Sequence, residues 1–212
     1  MTLHLTVGLL ADLRRREQAI ADELEREFDA LNRVLRKQAV DAHEEPIDAP
    51  LFERPLDPLD LHCLRRLAAN LDLGGVLPEP GDDDNVDEDA LTERYYELAG
   101  ETKGFLSRVL SPERAPARHF DHLIVHRDDD GFYLPVEFEK PLDFTSQVSG
   151  PGWIGSTPRL AEELESLRLR LDQPDAKNAD GSTRFEREQR CLEALSEACR
   201  ASLESGSALA FT

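Results

Sequence analysis

His122-Leu123-Ile124-Val125-His126-Arg127-Asp128-Asp129-Asp130-Gly131-Phe132-Tyr133-Leu134-Pro135-Val136-Glu137-Phe138 is the stretch that decides the fold class. Apolar runs stand on both sides of Asp128-Asp129-Asp130-Gly131, whose residues tolerate tight or left-handed backbone. The pattern predicts a β-hairpin over 122–139. In that pairing Leu123 and Val125 share the core side with Phe132, Leu134, Val136 and Phe138. The other side carries His122, Ile124, His126, Tyr133, Pro135, Glu137 and Glu139. Pro135 has no N–H to donate, so the second strand lies at an edge or leaves that position unpaired.

Helical periodicity dominates the rest of the chain. Leu3, Leu5 and Val7 alternate with polar residues as a half-buried strand, and Gly8 permits a turn into helix. Leu13, Ile20, Leu24, Phe28, Leu31 and Leu35 recur at helical spacing, with a break expected near Arg16 where Glu17 takes an apolar place. The proline-containing segment 41–56 reads as a connecting loop. Asp57-Pro58 then opens a helix that Gly74-Gly75 close. The segment 78–89, rich in Asp, Glu and Pro, reads as a mobile acidic loop, with helices expected at about 90–99 and 102–111. A glycine-rich loop at 149–156 precedes a helix capped by Thr157-Pro158, and Thr183-Arg184-Phe185-Glu186 has the form of a capping box for the last one. The expected fold is α+β and predominantly helical. A small antiparallel sheet, the N-terminal strand plus the 122–139 hairpin, sits in a single compact domain over 1–212.

The bulk composition narrows the function classes. The 212 residues are 40% hydrophobic and 33% charged, a globular balance. No apolar run approaches the roughly 20 residues of a membrane span, so no membrane partner is expected. Arg14, Arg15 and Arg16 follow the first apolar stretch instead of preceding it, the wrong order for a signal peptide, and a cytoplasmic location is expected. Cys63, Cys191 and Cys199 form no C-x-x-C pair. Cys191 and Cys199 on one helix stand about 12 Å apart, beyond disulfide reach.

A net charge of -19, from 44 acidic and 25 basic residues, repels nucleic acid and favours a basic protein partner. The plainer readings of the same charge are solubility or adaptation to high salt. Lysine occurs only at Lys37, Lys103, Lys140 and Lys177, an arginine bias that fits a GC-rich genome or a halophile.

Three familiar motifs fail on inspection. A calcium loop started at Asp83 has Glu88 where glycine belongs and Arg94 where glutamate belongs. A second, around Asn178-Ala179-Asp180-Gly181, has Ala176 at position one and Arg187 at position twelve. Gly150-Pro151-Gly152-Trp153-Ile154-Gly155 matches a dinucleotide fingerprint in letters only, since Asp172-Gln173-Pro174-Asp175 replaces the second strand and its acid. A weaker anion site is expected at the helix start, from the amides around Gly155, Ser156 and Thr157. No cofactor is expected.

One constellation remains. On the polar hairpin side, cross-strand neighbours stand about 5 Å apart, so an imidazole can meet a phenol or carboxylate. The candidate binding face is His122, His126, Asp128, Tyr133, Glu137 and Glu139, with His43 brought in from its loop. As a helix, His122 and His126 would share a face four residues apart and could chelate one metal; as a strand they lie about 13 Å apart and cannot, and Leu123-Ile124-Val125 between them favours the strand.

The same run, with Gly155-Ser156 before a leucine-rich helix and His43-Glu44-Glu45-Pro46 upstream, resembles an uncharacterised family of bacterial proteins. That resemblance implies no activity, but directs attention to His43, His122, His126 and Asp128. The reading favours a non-enzymatic binding or accessory protein, immunity-like, with its acidic surface meeting a basic partner. The alternative is a metal-assisted or general-base hydrolase built on the hairpin face.

Overall fold

The computed structural model describes residues 3–82, 119–125, 131–146 and 150–212, and side chains outside 146–151. The expected helices at 90–99 and 102–111, the acidic loop from residue 83 onward, and the turn at 128–130 lie outside them.

The fold is α+β. Six strands form one mixed sheet: β1 (Leu3–Val7), β2 (Phe52–Leu56), β3 (Phe132–Leu134), β4 (Leu142–Ser146), β5 (Gly150–Ser156) and β6 (Leu209–Phe211), in the order β2-β1-β6-β3-β5-β4. All neighbours are antiparallel except β3 and β5. Among the described residues there are also six α-helices: α1 (Leu9–Arg16), α2 (Gln18–Lys37), α3 (Pro58–Gly74), α4 (Asp121–Val125), α5 (Thr157–Leu171) and α6 (Glu186–Ser205).

Strand alternation sends side chains to two separate cores. Leu3, Leu5, Val7, Tyr133, Leu209 and Phe211 pack under α3, α5 and α6. Leu134, Phe144, Ile154 and Ala208 pack under Phe28, Leu31 and Leu35 of α2. The sheet is thus a shared wall with helices on both faces.

Local chemistry accounts for several boundaries. Gly8 sits at φ +75°, and a Cβ there would run into the Pro50 carbonyl oxygen, so only glycine turns β1 into α1 at this spot. Glu17 separates α1 from α2, as the interrupted periodicity predicted. Asp57 caps α3 by accepting the Leu59 N–H at 2.9 Å, with Pro58 in the first turn and Gly75 in the left-handed region at its end. The other two caps fall differently. Ser156, not Thr157, caps α5, and α6 begins at Glu186 without a side-chain cap, Thr183 accepting the Phe185 N–H instead. Ile20 is exposed on α2 despite its helical spacing.

Three expectations about the sheet are corrected. Residues 52–56, read as loop, are β2, and residues 150–156, read as a glycine-rich loop, are β5. Strand formation there rests on backbone pairing with β1, β3 and β4, which tolerates Pro55 on an edge strand and glycine along β5. The hairpin over 122–139 is replaced by helix at Asp121–Val125, and β3 pairs with β5 and β6. The cause is tertiary. Glu163 of α5 accepts the N–H groups of His122 and Leu123 at 2.9 and 2.8 Å. The Tyr133 hydroxyl donates to the His122 carbonyl at 2.9 Å, and Arg65 Nε donates to the Leu123 carbonyl at 2.9 Å. Backbone groups that a ladder would otherwise satisfy are met by side chains, which outweighs the β preference of Leu-Ile-Val.

Candidate functional site

The histidine expected on a polar strand face is the centre of a buried hub. His122 is 1% exposed. Its Nδ1 accepts the Ser156 N–H at 3.0 Å, so Nδ1 is unprotonated and Nε2 carries the hydrogen, 3.4 Å from the Glu139 carbonyl oxygen. Burial pushes its pKa down to about 4, so the ring is neutral at ordinary pH with both nitrogens committed. Tyr133 is equally buried, and burial drives its phenol well above the usual range. Glu163, the helix-capping carboxylate, is also pushed well upward by burial, against the pull of its two amide donors.

The expected anion-binding amides take part in the same construction. The Ser156 N–H goes to His122, the Ser156 hydroxyl accepts the Arg159 N–H and donates to the Val136 carbonyl, and the Thr157 hydroxyl meets Ser202 at 3.3 Å. Gly155 is there for contact: a Cβ would collide with the Tyr133 ring. The residues chosen for anion binding therefore join α4, β3 and α5.

His43 lies elsewhere, buried against Phe28 of α2. Asn32 holds its backbone by two 2.8 Å hydrogen bonds, and its Nε2 meets Glu45 Oε1 at 2.7 Å. Glu45 also accepts the Ala208 N–H next to β6, which staples the 41–51 loop to the sheet. Glu137 and Glu139 are exposed, with Glu137 paired to Arg159 at 2.6 Å. His126 and Asp128 lie outside the described residues. The structure accordingly brings His122 and Tyr133 together inside, leaves Glu137 and Glu139 at the surface, and sets His43 apart. Among the described residues no group of three or more His, Cys, Asp or Glu side chains is placed to hold a metal ion. The three thiols are free and buried, and burial raises them all, Cys63 to about 12, which makes them poor nucleophiles.

What sequence reasoning passed over is the exterior of α6. Glu186, Glu193, Glu197 and Glu204 are spaced 7, 4 and 7 residues apart. At 3.6 residues per turn they fall within about 20° of one line and span about 27 Å. Glu186, Glu193 and Glu204 are exposed, and Glu197 is partly exposed beside Arg54 of β2. Arg190 and Arg200 flank the line, Arg190 tied to Asp60 of α3 at 3.0 Å. The acid spacing alone would have revealed this row.

Among the described residues no helix is long and apolar enough to cross a membrane. No curated protein and no solved structure matches the chain. One family model does, over residues 1–211, and its family is described as "Putative DNA-mimic protein". This corrects the partner expectation, which set nucleic acid aside because an acidic field repels it: the family description brings DNA back into the account, as the thing imitated. With the match running over residues 1–211 of an α+β chain with a -19 charge, the protein belongs to the family so described.

Proposed function

We propose that this protein occupies the DNA-binding surface of a DNA-binding protein and competes there with DNA. The observation that carries the reading is the net charge of -19 in a member of a DNA-mimic family. A DNA-binding surface is already arranged to receive phosphates from many directions, with Arg, Lys and backbone N–H groups. Carboxylates accept the same charge-assisted hydrogen bonds. The target in this reading is the protein whose phosphate-binding surface DNA would otherwise fill.

Support comes from the division between interior and exterior. Among the described residues, His122, His43 and Tyr133 are committed to internal hydrogen bonds, while carboxylates occupy the outer faces of α2, α5 and α6. The binding role is therefore assigned to the charged exterior and not to the buried histidine hub. Its expected setting is the cytoplasm, where DNA-binding proteins of bacteria work.

Capture on the immobilised protein, eluted with duplex DNA, tests this directly. The expected result is retention of DNA-binding proteins at about 50 mM salt, their loss at about 300 mM, and their displacement by DNA at the lower salt. Retention that duplex DNA leaves untouched sinks the proposal.

A further inference from the structure

The helical layer of α5 and α6 contains an open groove, and its position selects one side of the molecule. Ala161, Cys199 and Leu203 supply apolar lining, while Glu165, Arg200 and Glu204 supply charged groups. Leu203 is 44% exposed, and Leu169, on the same helix as Ala161, is 53% exposed. Glu204 belongs both to this groove and to the four-glutamate row of α6, so the apolar trough opens at the end of a line of carboxylates. Glu165 is held by Arg168 through hydrogen bonds of 2.7 and 2.6 Å, which leaves Glu204 to set the sign of the far wall.

An arginine side chain is the ligand that fits both features. Its methylene stem covers apolar surface while its guanidinium forks onto a carboxylate. We infer that the α5–α6 groove and the adjoining glutamate row are the docking surface for the DNA-binding partner, with an arginine-bearing segment of that partner lying along α6 and one stem seated on Leu203. This rests on the DNA-mimic reading and adds to it which face is used and what the face recognises. The acidic outer face of α2, carrying Asp22 and Asp29 on the opposite side of the sheet, would then contribute only long-range attraction.

Arg200 makes the inference separable from general electrostatics. It is the cation inside the groove, and an arriving arginine meets it as a like charge. Removing it should strengthen binding, which a misfolded variant would not do.

The test uses a fluorescent arginine-rich peptide as the probe and anisotropy as the readout, on the full chain. Glu193→Lys with Glu204→Lys should weaken binding about two- to twenty-five-fold, since each exposed ion pair is worth up to about five-fold. Arg200→Ala should tighten it, by about two- to five-fold. Leu203→Asn should weaken binding with no change in charge. Asp22→Lys with Asp29→Lys should change it less than two-fold. If the α2 and α6 variants weaken the peptide equally and Arg200→Ala is neutral, the groove is not the docking surface, while the mimic reading stands. If the unaltered protein does not bind the peptide at low salt, the mimic reading itself falls, and this inference with it.

Discussion

At the scale of single residues, the hub around His122 has two consequences that stability measurements can read. Glu163 satisfies two backbone N–H groups inside the protein, and truncation strands both. Glu163→Ala is therefore expected to cost about 3 kcal/mol in urea unfolding, with Glu163→Gln losing less because its amide oxygen still accepts one bond. His122 links the same hub to pH. Its folded pKa of about 4 lies below the ordinary 6.5, so the unfolded chain binds the proton more readily. The stability this histidine contributes is complete above about pH 6.5, and is lost as pH falls toward 4. Across that window the loss is about 3 kcal/mol. Comparing unfolding of wild type with His122→Asn at pH 7 and pH 4.5 isolates it, because asparagine keeps an acceptor that does not ionise. Wild type should lose more stability than the variant; equal losses would mean that the ring is solvated. Glu163 acts with the opposite sign, since a raised carboxyl pKa favours the folded state as pH falls.

At the scale of elements, the helices differ in how far their starts are encoded locally and how far tertiary contacts hold them. Asp57, the N-cap of α3, illustrates the local part, since the Asp-Pro pair forms the cap its chemistry predicts. Asp57→Ala should lower stability by about 1 kcal/mol, measured by thermal unfolding, and Asp57→Ser should restore most of it. Helix α4 illustrates the opposite case. Five residues are too few to hold a helix alone, and its carbonyls and amides are satisfied from α3, β3 and α5. Helix α6 does both jobs at once. Leu192, Leu195 and Cys199 face the core, and the glutamate row faces out, so the periodicity that packs the helix also aligns its charges.

At the scale of the whole molecule, the charge excess on which the proposed function rests is also a stability cost. Like charges spread over a 23.8 kDa chain repel one another, and salt screens them. Raising NaCl from about 10 mM to about 300 mM should stabilise the fold by about 1 kcal/mol, read as an increase of about 2–4 °C in Tm. A Tm independent of salt would mean that acids and arginines are balanced locally, as they are at Arg168–Glu165 and Arg170–Asp175. The same screening that steadies the fold should weaken binding to a DNA-binding protein, so stability and affinity are expected to move in opposite directions with salt.

The sequence by itself determined the α+β class, the strand at the start of the chain, the helical stripes of α2, α3, α5 and α6, and the acidic character. Each depends on nearest neighbours, on a 3.6- or 2-residue period, or on a sum over residues. Four of the six strands escaped it, because β2, β4, β5 and β6 are defined by partners far along the chain, as Leu3↔Leu56 and Thr6↔Ala210 show. Only the tertiary structure could decide the state of 121–125, since a carboxylate forty residues away supplies the hydrogen bonds that make Leu-Ile-Val helical. The same long-range packing moved His122 and Tyr133 from an imagined surface into the interior, where desolvation removes the chemistry that their residue types promised.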